Sequence, residues 1–437
     1  MMTRDEKGTL VWILAAAFAI RAAIPLIAYG IAGDVAVFHN PDTMEYVLPA
    51  KSLLNGGSYA VDGVPEIVRT PGYSLLLVPG ILLGHLELVT ILLQVTAGVF
   101  TVFLVYKLGM VLWQDARVAV TAAALYAVEP LAITYASFLF TETFFTTFLT
   151  AGGLFLVRNL TTGRTRDAAI AGGLLAAAAY VRPIAMFLPF PIACAMILFD
   201  PRGKRLSRRS LAQPIAFLAV FVILVVPWQV RNYVHTGYFG FSAISDHNLH
   251  FSTQAAILAH ETGVPFLTVQ ERMGFTDPDV YFGLHPEQRE WSQAEIAQWR
   301  KREGINAILQ YPRTYVLLAL EAAVWAIRDT AASGYITLFA VDPSSSWGSI
   351  ASMTLKGACA VLLLGYYFFA GVAVVYRGIF RDARIACMVV VCAYFILTAA
   401  ATGIGFARFR LPIMPILCAL AAYGIPVAME RMRRASR

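Results

Sequence analysis

Asp42, Glu45 and Tyr46 fall within one turn of each other in the run Asn40-Pro41-Asp42-Thr43-Met44-Glu45-Tyr46. In a helix the spacing of three places both carboxylates on one face, with the phenol beside them. Two more acids stand where apolar runs meet: Glu129 before Pro130, and Glu142 after Ser137-Phe138-Leu139-Phe140-Thr141. Arg69, Arg182, Arg231, Arg408 and Arg410 sit at the ends of apolar runs in the same way. Guanidinium binds phosphate oxygens bidentately and keeps its charge in a dry site. A carboxylate within hydrogen-bond reach can take a proton from a hydroxyl. Together these types suit transfer chemistry on a phosphate-bearing lipid. Each residue also has a plainer reading. Asp42 and Glu142 suit the first turn of any helix, and an arginine at the end of a span commonly snorkels to the interface.

The elements that position these groups are dictated by hydropathy. Of 437 residues 58% are hydrophobic and 14% charged, with a mean hydropathy of +0.66, far from the balance of a soluble domain. Apolar runs long enough to cross about 30 Å of hydrocarbon recur along the chain. They predict an all-α, polytopic helical bundle, a single domain over 1–437, with spans near residues 9–30, 86–106, 117–135, 140–157, 168–181, 183–199, 211–230, 350–376, 385–402 and 411–429. The first run keeps Arg21 and has no small-residue cleavage site, so it reads as a retained helix.

Lys and Arg set the orientation, because short cytoplasmic loops are rich in them. Arg4 and Lys7; Lys107 and Arg117; Arg158, Arg164 and Arg166; Arg202, Lys204, Arg205, Arg208 and Arg209; Arg377, Arg381 and Arg384; and Arg431, Arg433, Arg434 and Arg437 occupy alternate short connections. Both termini are therefore expected in the cytoplasm. The net charge of +7 reflects this topology and not a nucleic-acid footprint. The opposite face carries the two long connections, 32–85 and 231–349, and long loops of this kind are usually functional.

In the first connection Asn40, Pro41 and Asp42 read as N-cap, N1 and N2 of a short helix that Pro49 kinks and Asn55-Gly56-Gly57 ends. Arg69-Thr70-Pro71-Gly72-Tyr73 opens a stretch expected to lie in the interface. The second holds a polar helical segment, Trp291 to Leu309, then Tyr311 to Thr330, which carries Glu321 and Arg328 and reads as an in-plane helix. Two short crossings, the second through Tyr335 to Val341, would also preserve the topology. Asp246, His247, His250 and His260 do not form a tetrahedral ligand set, so no metal site is read there. The five cysteines all lie in apolar spans, with no disulfide or zinc spacing.

In order along the chain, Asp42-Thr43-Met44-Glu45-Tyr46, Arg69-Thr70-Pro71-Gly72-Tyr73, Thr141-Glu142, Tyr180-Val181-Arg182-Pro183, Pro227-Trp228-Gln229-Val230-Arg231-Asn232-Tyr233 and Arg408-Phe409-Arg410-Leu411-Pro412 form a pattern. It resembles that of the bacterial polyprenyl-phosphate-sugar-dependent glycosyltransferases of the GT-C superfamily. These include the aminoarabinose and galacturonic acid transferases acting on lipid A, with the protein O-mannosyltransferases as more distant relatives. The resemblance implies transfer of a sugar, with inversion, from a polyprenyl-phosphate donor such as an undecaprenyl-phosphate sugar to a lipid, glycan or protein acceptor at the periplasmic face of a bacterial inner membrane. It maps the catalytic base onto Asp42, a second acid onto Glu142 and donor-phosphate binding onto Arg69, with Arg182, Arg231, Arg408 and Arg410 at the same depth. Glu45, Tyr46, Tyr73 and Glu129 are then candidate acceptor or sugar contacts. Thr43 stands where many relatives have glutamate. No cofactor is required, and a divalent metal is compatible. A transporter or flippase of a lipid-linked anion, and a glycan polymerase or ligase using diphosphate donors, remain alternatives.

Overall fold

A computed structural model describes residues 4–199, 208–378 and 381–436. Arg202, Lys204, Arg205 and Arg437 of the orientation argument lie outside the described residues. The chain opens on α1 (Arg4–Ala32), a 29-residue helix. It is followed by α2 (Thr43–Gly56), a two-strand turn of β1 (Ala60–Val61) and β2 (Val64–Pro65), and α3 (Pro71–Leu82). Next come α4 (Leu86–Trp113), α5 (Ala116–Ala127), α6 (Pro130–Tyr135), α7 (Glu142–Thr162), α8 (Thr165–Val181), α9 (Pro189–Leu198) and α10 (Arg208–Thr236).

The second long connection folds into α11 (Ile244–Asn248), a π-helical turn at Leu249–Gln254, α12 (Ala255–Thr262), α13 (Phe266–Arg272), α14 (Pro278–Leu284), α15 (Gln293–Gln310), α16 (Pro312–Arg328) and α17 (Ala332–Leu338). The chain ends on α18 (Ser346–Arg377), α19 (Ala383–Ala401) and α20 (Met414–Ala435). Six helices among the described residues are long and apolar enough to cross a membrane: α1, α4, α10, α18, α19 and the helical stretch containing α20. Neither α16, with 17 residues, nor α17, with seven, is among them.

Three expectations change in detail. The predicted helix at Asn40 begins two residues later, because the Asn40 side chain accepts the Asp42 N–H at 2.9 Å and holds a turn open. Asp42 therefore occupies the N-cap, and the helix ends where Gly57 turns left-handed at φ 67°. The predicted span over 117–135 is two helices. Glu129 caps α6 by accepting the Ala132 N–H at 2.6 Å, and Pro130 at N1 lacks the N–H that a continuous helix needs. The last helix likewise starts only at Met414, after short 3-10 turns at Ala407–Phe409 and Leu411–Ile413.

The bundle packs α7 on α8, α8 on α10, α4 on α5 and α7, and α18 on α20. One apolar core runs through them, with Phe145, Leu175, Phe217, Phe395 and Cys418 fully buried. The cysteines are free. Arg21 lies inside α1 with no exposed surface, and a charge there must be matched. Its guanidinium donates to the carbonyls of Ala127 at 2.8 Å and Tyr126 at 3.1 Å, the last carbonyls of α5, and is attracted by Glu129. The break between α5 and α6 is thus held from α1. Arg21→Ala leaves two buried carbonyls unpaired and is expected to cost about 1–3 kcal/mol for each. Arg21→Lys, with no fork to span two carbonyls, should recover only part of it. Thermal unfolding in detergent checks this; an unchanged melting temperature for the alanine variant would refute the account.

Candidate active site

Arg69 is the residue before the cap of α3. Pro71 at N1 and Thr70 in an extended conformation start that helix, and the turn leading into it is held by Glu66. That carboxylate accepts the backbone N–H groups of Arg69, at 2.8 Å, and of Val68. Burial pushes the Glu66 carboxyl above its usual range, against those two hydrogen bonds, which favour the charged form.

So placed, the Arg69 guanidinium meets three groups of the first turn of α2. Its Nε donates to Glu45 Oε2 at 2.6 Å, its Nη1 to the Tyr46 hydroxyl at 3.2 Å, and its Nη2 pairs with Asp42 Oδ1 at 3.3 Å. The other oxygen of Asp42 faces Arg408 Nη1 at 3.5 Å. Asp42 therefore lies between two arginines brought from opposite ends of the sequence. The Arg408 guanidinium is ringed by Phe140, Phe406 and Phe409, with centroids 5.2–5.7 Å away. Its Nε is buried without a hydrogen-bond partner among the described residues.

A second pair stands beside the first. Glu142 at the start of α7 is fully buried and accepts from Arg182 Nη1 and, at 3.1 Å, from the Thr141 hydroxyl. It interacts electrostatically with Arg408 and Asp42 as well. Arg182 ends α8, and Gly72 is what brings it close. A Cβ on Gly72 would lie 2.5 Å from the backbone of Tyr180, so only glycine lets the first turn of α3 press on the last turn of α8. Tyr73, next in line, packs edge-on against Tyr46 at 5.1 Å and donates to Gln94 Oε1 at 3.0 Å. Gln94 in turn donates to the carbonyls of Ala136 and Phe138 at 3.1 and 2.7 Å, holding the irregular segment ahead of Glu142. Asn40 and Thr43 add bonds to the Leu139 carbonyl at 3.0 and 3.2 Å.

Asp42, Glu45, Tyr46, Arg69, Tyr73, Glu142, Arg182 and Arg408 are thus brought together. Three other candidates are placed elsewhere. Arg231 donates to the carbonyls of Glu66 at 2.7 Å and Tyr59 at 2.6 Å, fastening the β1–β2 turn to α10. Arg410 donates to the carbonyls of Ala326 and Ile327 at 2.8 and 3.1 Å at the end of α16. Glu129 caps α6. Gln94 and Glu66 were not among the candidates. Gln94 carries a legible signal, an amide in the middle of an apolar run, whereas nothing local marks Glu66. In the second connection Asp246 accepts the Tyr238 hydroxyl at 2.8 Å, and His250 Nδ1 pairs with Gln254 at 2.7 Å. Among the described residues no three His, Cys, Asp or Glu side chains gather into a metal-holding group.

Helices and charged centre together define a membrane-embedded, multi-pass protein of the GT-C fold. Residues 69–229 match the family described as dolichyl-phosphate-mannose-protein mannosyltransferase, a stretch that includes Arg69, Glu142 and Arg182 and leaves out Asp42 and Arg408. The chain is similar in structure to the oligosaccharyltransferase AglB of Archaeoglobus fulgidus in complex with an inhibitory peptide and a dolichol-phosphate. The TM-score is 0.57 and the identity 14%, covering 99% of this chain and 52% of the other. The apo form of the Archaeoglobus fulgidus oligosaccharyltransferase aligns at a TM-score of 0.55 and 15% identity, over 98% and 51%. ArnT from Cupriavidus metallidurans, bound to undecaprenyl phosphate, aligns at 0.43 and 14%, over 94% and 78%, a score on which no argument rests. No curated protein matches the chain. The chain spans about half the length of the archaeal structures it matches, and at such identities the likeness establishes the fold. The resemblance to the GT-C superfamily carried by the motifs is found again in both comparisons.

Gly72→Ala is expected to force α3 away from α8 and so part Arg69 from Arg182. A fall in melting temperature, with the loss restored by no neighbouring substitution to a smaller side chain because the clash is with backbone, is the outcome that checks it.

Proposed function

We propose that this chain is a glycosyltransferase that moves a sugar from a polyprenyl-phosphate carrier to a lipid, glycan or protein hydroxyl, at the periplasmic face of a bacterial inner membrane. The observation that carries the reading is Asp42 held by Arg69 and Arg408 at 3.3 and 3.5 Å, a base and a pair of phosphate-binding cations in one place. The matched family's description names a dolichyl-phosphate sugar, and the archaeal structure of the same fold holds a dolichol-phosphate.

In the proposed step the acceptor oxygen attacks the anomeric carbon from the side opposite the phosphate. Its proton passes to Asp42, the new C–O bond forms, and the old one breaks with its electron pair leaving on the phosphate. Arg69 and Arg408 stabilise that departing charge, which grows as the bond breaks and so lowers the barrier. Glu142, neutralised by Arg182, offers a second polar contact to sugar or acceptor. Arg231 and Arg410, whose N–H groups serve backbone carbonyls, keep the site's walls in place. The step as drawn runs on these side chains alone.

Asp42 and the donor phosphate require the same two guanidiniums, so the phosphate must draw them off the carboxylate, leaving its oxygens free to accept from the acceptor hydroxyl. Asp42→Asn is expected to lower transfer in vesicles about 10²–10⁴-fold, the weight of a general base. The same variant should bind bare polyprenyl phosphate about tenfold more tightly, the worth of one charge-assisted hydrogen bond no longer contested. Full transfer by the variant would remove Asp42 from the mechanism; weaker phosphate binding would show that the arginines do not serve both groups. Monophosphate and diphosphate donors, supplied in parallel, identify the carrier.

A further inference from the structure

The second long connection ends in a cap whose beginning is laced to the site. The Ser242 hydroxyl donates to the Val68 carbonyl at 2.5 Å, and the Ala243 N–H donates to Ile67 O at 2.8 Å, so α11 starts alongside the segment that leads into Arg69. One helical turn on is His247, whose N–H returns to the Ala243 carbonyl at 3.0 Å. Its ring rests on Phe251 and Phe275, with centroids 4.8 and 5.8 Å away.

The imidazole is fixed by a chain of polar contacts. Arg300 Nη1 lies 3.3 Å from His247 Nδ1. A guanidinium can only donate, so Nδ1 is the acceptor and the ring proton sits on Nε2. Arg300 is itself held between Phe251 and Tyr281, at 5.0 and 4.6 Å, and its Nε donates to the Tyr281 hydroxyl at 3.3 Å. The Tyr281 hydroxyl donates to Gln288 Oε1 at 2.7 Å, and Gln288 has no exposed surface. The whole series terminates at His247 Nε2, for which no hydrogen bond is recorded among the described residues. The charged and titratable groups that act on the ring are Arg300 of α15, Arg69 of the first connection and His250 of the π-helical turn. Burial first and then these groups hold its pKa down at about 3. The ring is therefore held neutral, with its one N–H on Nε2, within the field of Arg69. The π-helical turn follows directly, at Leu249–Gln254, and such turns cluster at functional sites.

We infer that His247 donates this N–H to a hydroxyl of the donor's sugar, with Arg300 as its positioning residue. The inference rests on the lipid-phosphate reading. If Arg69 binds the phosphate, the next group along the donor is the sugar attached to it, and a cap laced to the segment before Arg69 is where that sugar arrives. A neutral N–H suits a hydroxyl without adding a further cation to a centre that already holds Arg69, Arg182 and Arg408. A donor fixed in this way also discriminates, because a sugar lacking the hydroxyl leaves it unpaired.

The test compares two ligands on the full-length protein in detergent: bare polyprenyl phosphate, and the polyprenyl-phosphate sugar that supports transfer in vesicles. His247→Ala should weaken the sugar-bearing donor about tenfold, one hydrogen bond's worth, and leave the bare phosphate unchanged. His247→Gln, whose amide N–H reaches the place of Nε2, should restore the donor affinity, whereas His247→Asn, which mimics Nδ1, should not; this pair decides the matter if the alanine variant fails to fold. Equal loss for both ligands, no change for either, or a rise confined to the acceptor KM overturns the assignment. If the wild type binds neither ligand, the lipid-phosphate reading itself has failed.

Discussion

A guanidinium does not give up its charge, so every arginine drawn into this bundle must be answered by a carbonyl or a carboxylate. Which of the two answers it divides the molecule. Arg21, Arg231 and Arg410 are met by carbonyls at helix ends and at the β1–β2 turn, and they act as fasteners. Arg69, Arg182 and Arg408 are met by Asp42, Glu45 and Glu142. A carboxylate can be displaced by an incoming anion in a way that a helix-end carbonyl cannot, so this second set is where an anionic ligand can compete.

The reacting end depends on irregular backbone as much as on charge. The segment between α6 and α7 is not helical and lies deep in the protein, and its carbonyls must be satisfied there. Gln94, Asn40 and Thr43 satisfy three of them. In doing so they bind the start of α2 and α4 to the segment that leads to Glu142. Arg21 secures the preceding break, between α5 and α6, through the last carbonyls of α5, a break imposed where Pro130 cannot continue a helix.

The cap contributes through backbone bonds. Ile67 and Val68 are held by Ala243 and Ser242, Glu66 by Arg231, and the Arg69 N–H by Glu66 itself. The arginine at the centre of the cluster is thus set by residues from both long connections. Two of these bonds, from Ser242 and Ala243, tie the cap to the segment that ends at Arg69.

The sequence alone determined the helical, membrane-embedded class, because runs of apolar residues admit few other structures when every backbone group must be paired internally. It also singled out Asp42, Glu45 and Tyr46 as a set, since their association is local and follows from helical spacing. Arg69 and Glu142 were legible as polar residues at the ends of apolar runs. Which arginines meet carboxylates was not legible. Arg231 and Arg408 look alike in sequence, and their fates differ because one reaches the Tyr59 and Glu66 carbonyls and the other reaches Asp42, contacts separated by well over a hundred residues. The helix break at Glu129, the approach of α3 to α8 at Gly72, and the tautomer of His247 were likewise decided by packing. Each depends on where a second, distant segment places one carbonyl, one backbone or one guanidinium, and no local pattern encodes that placement.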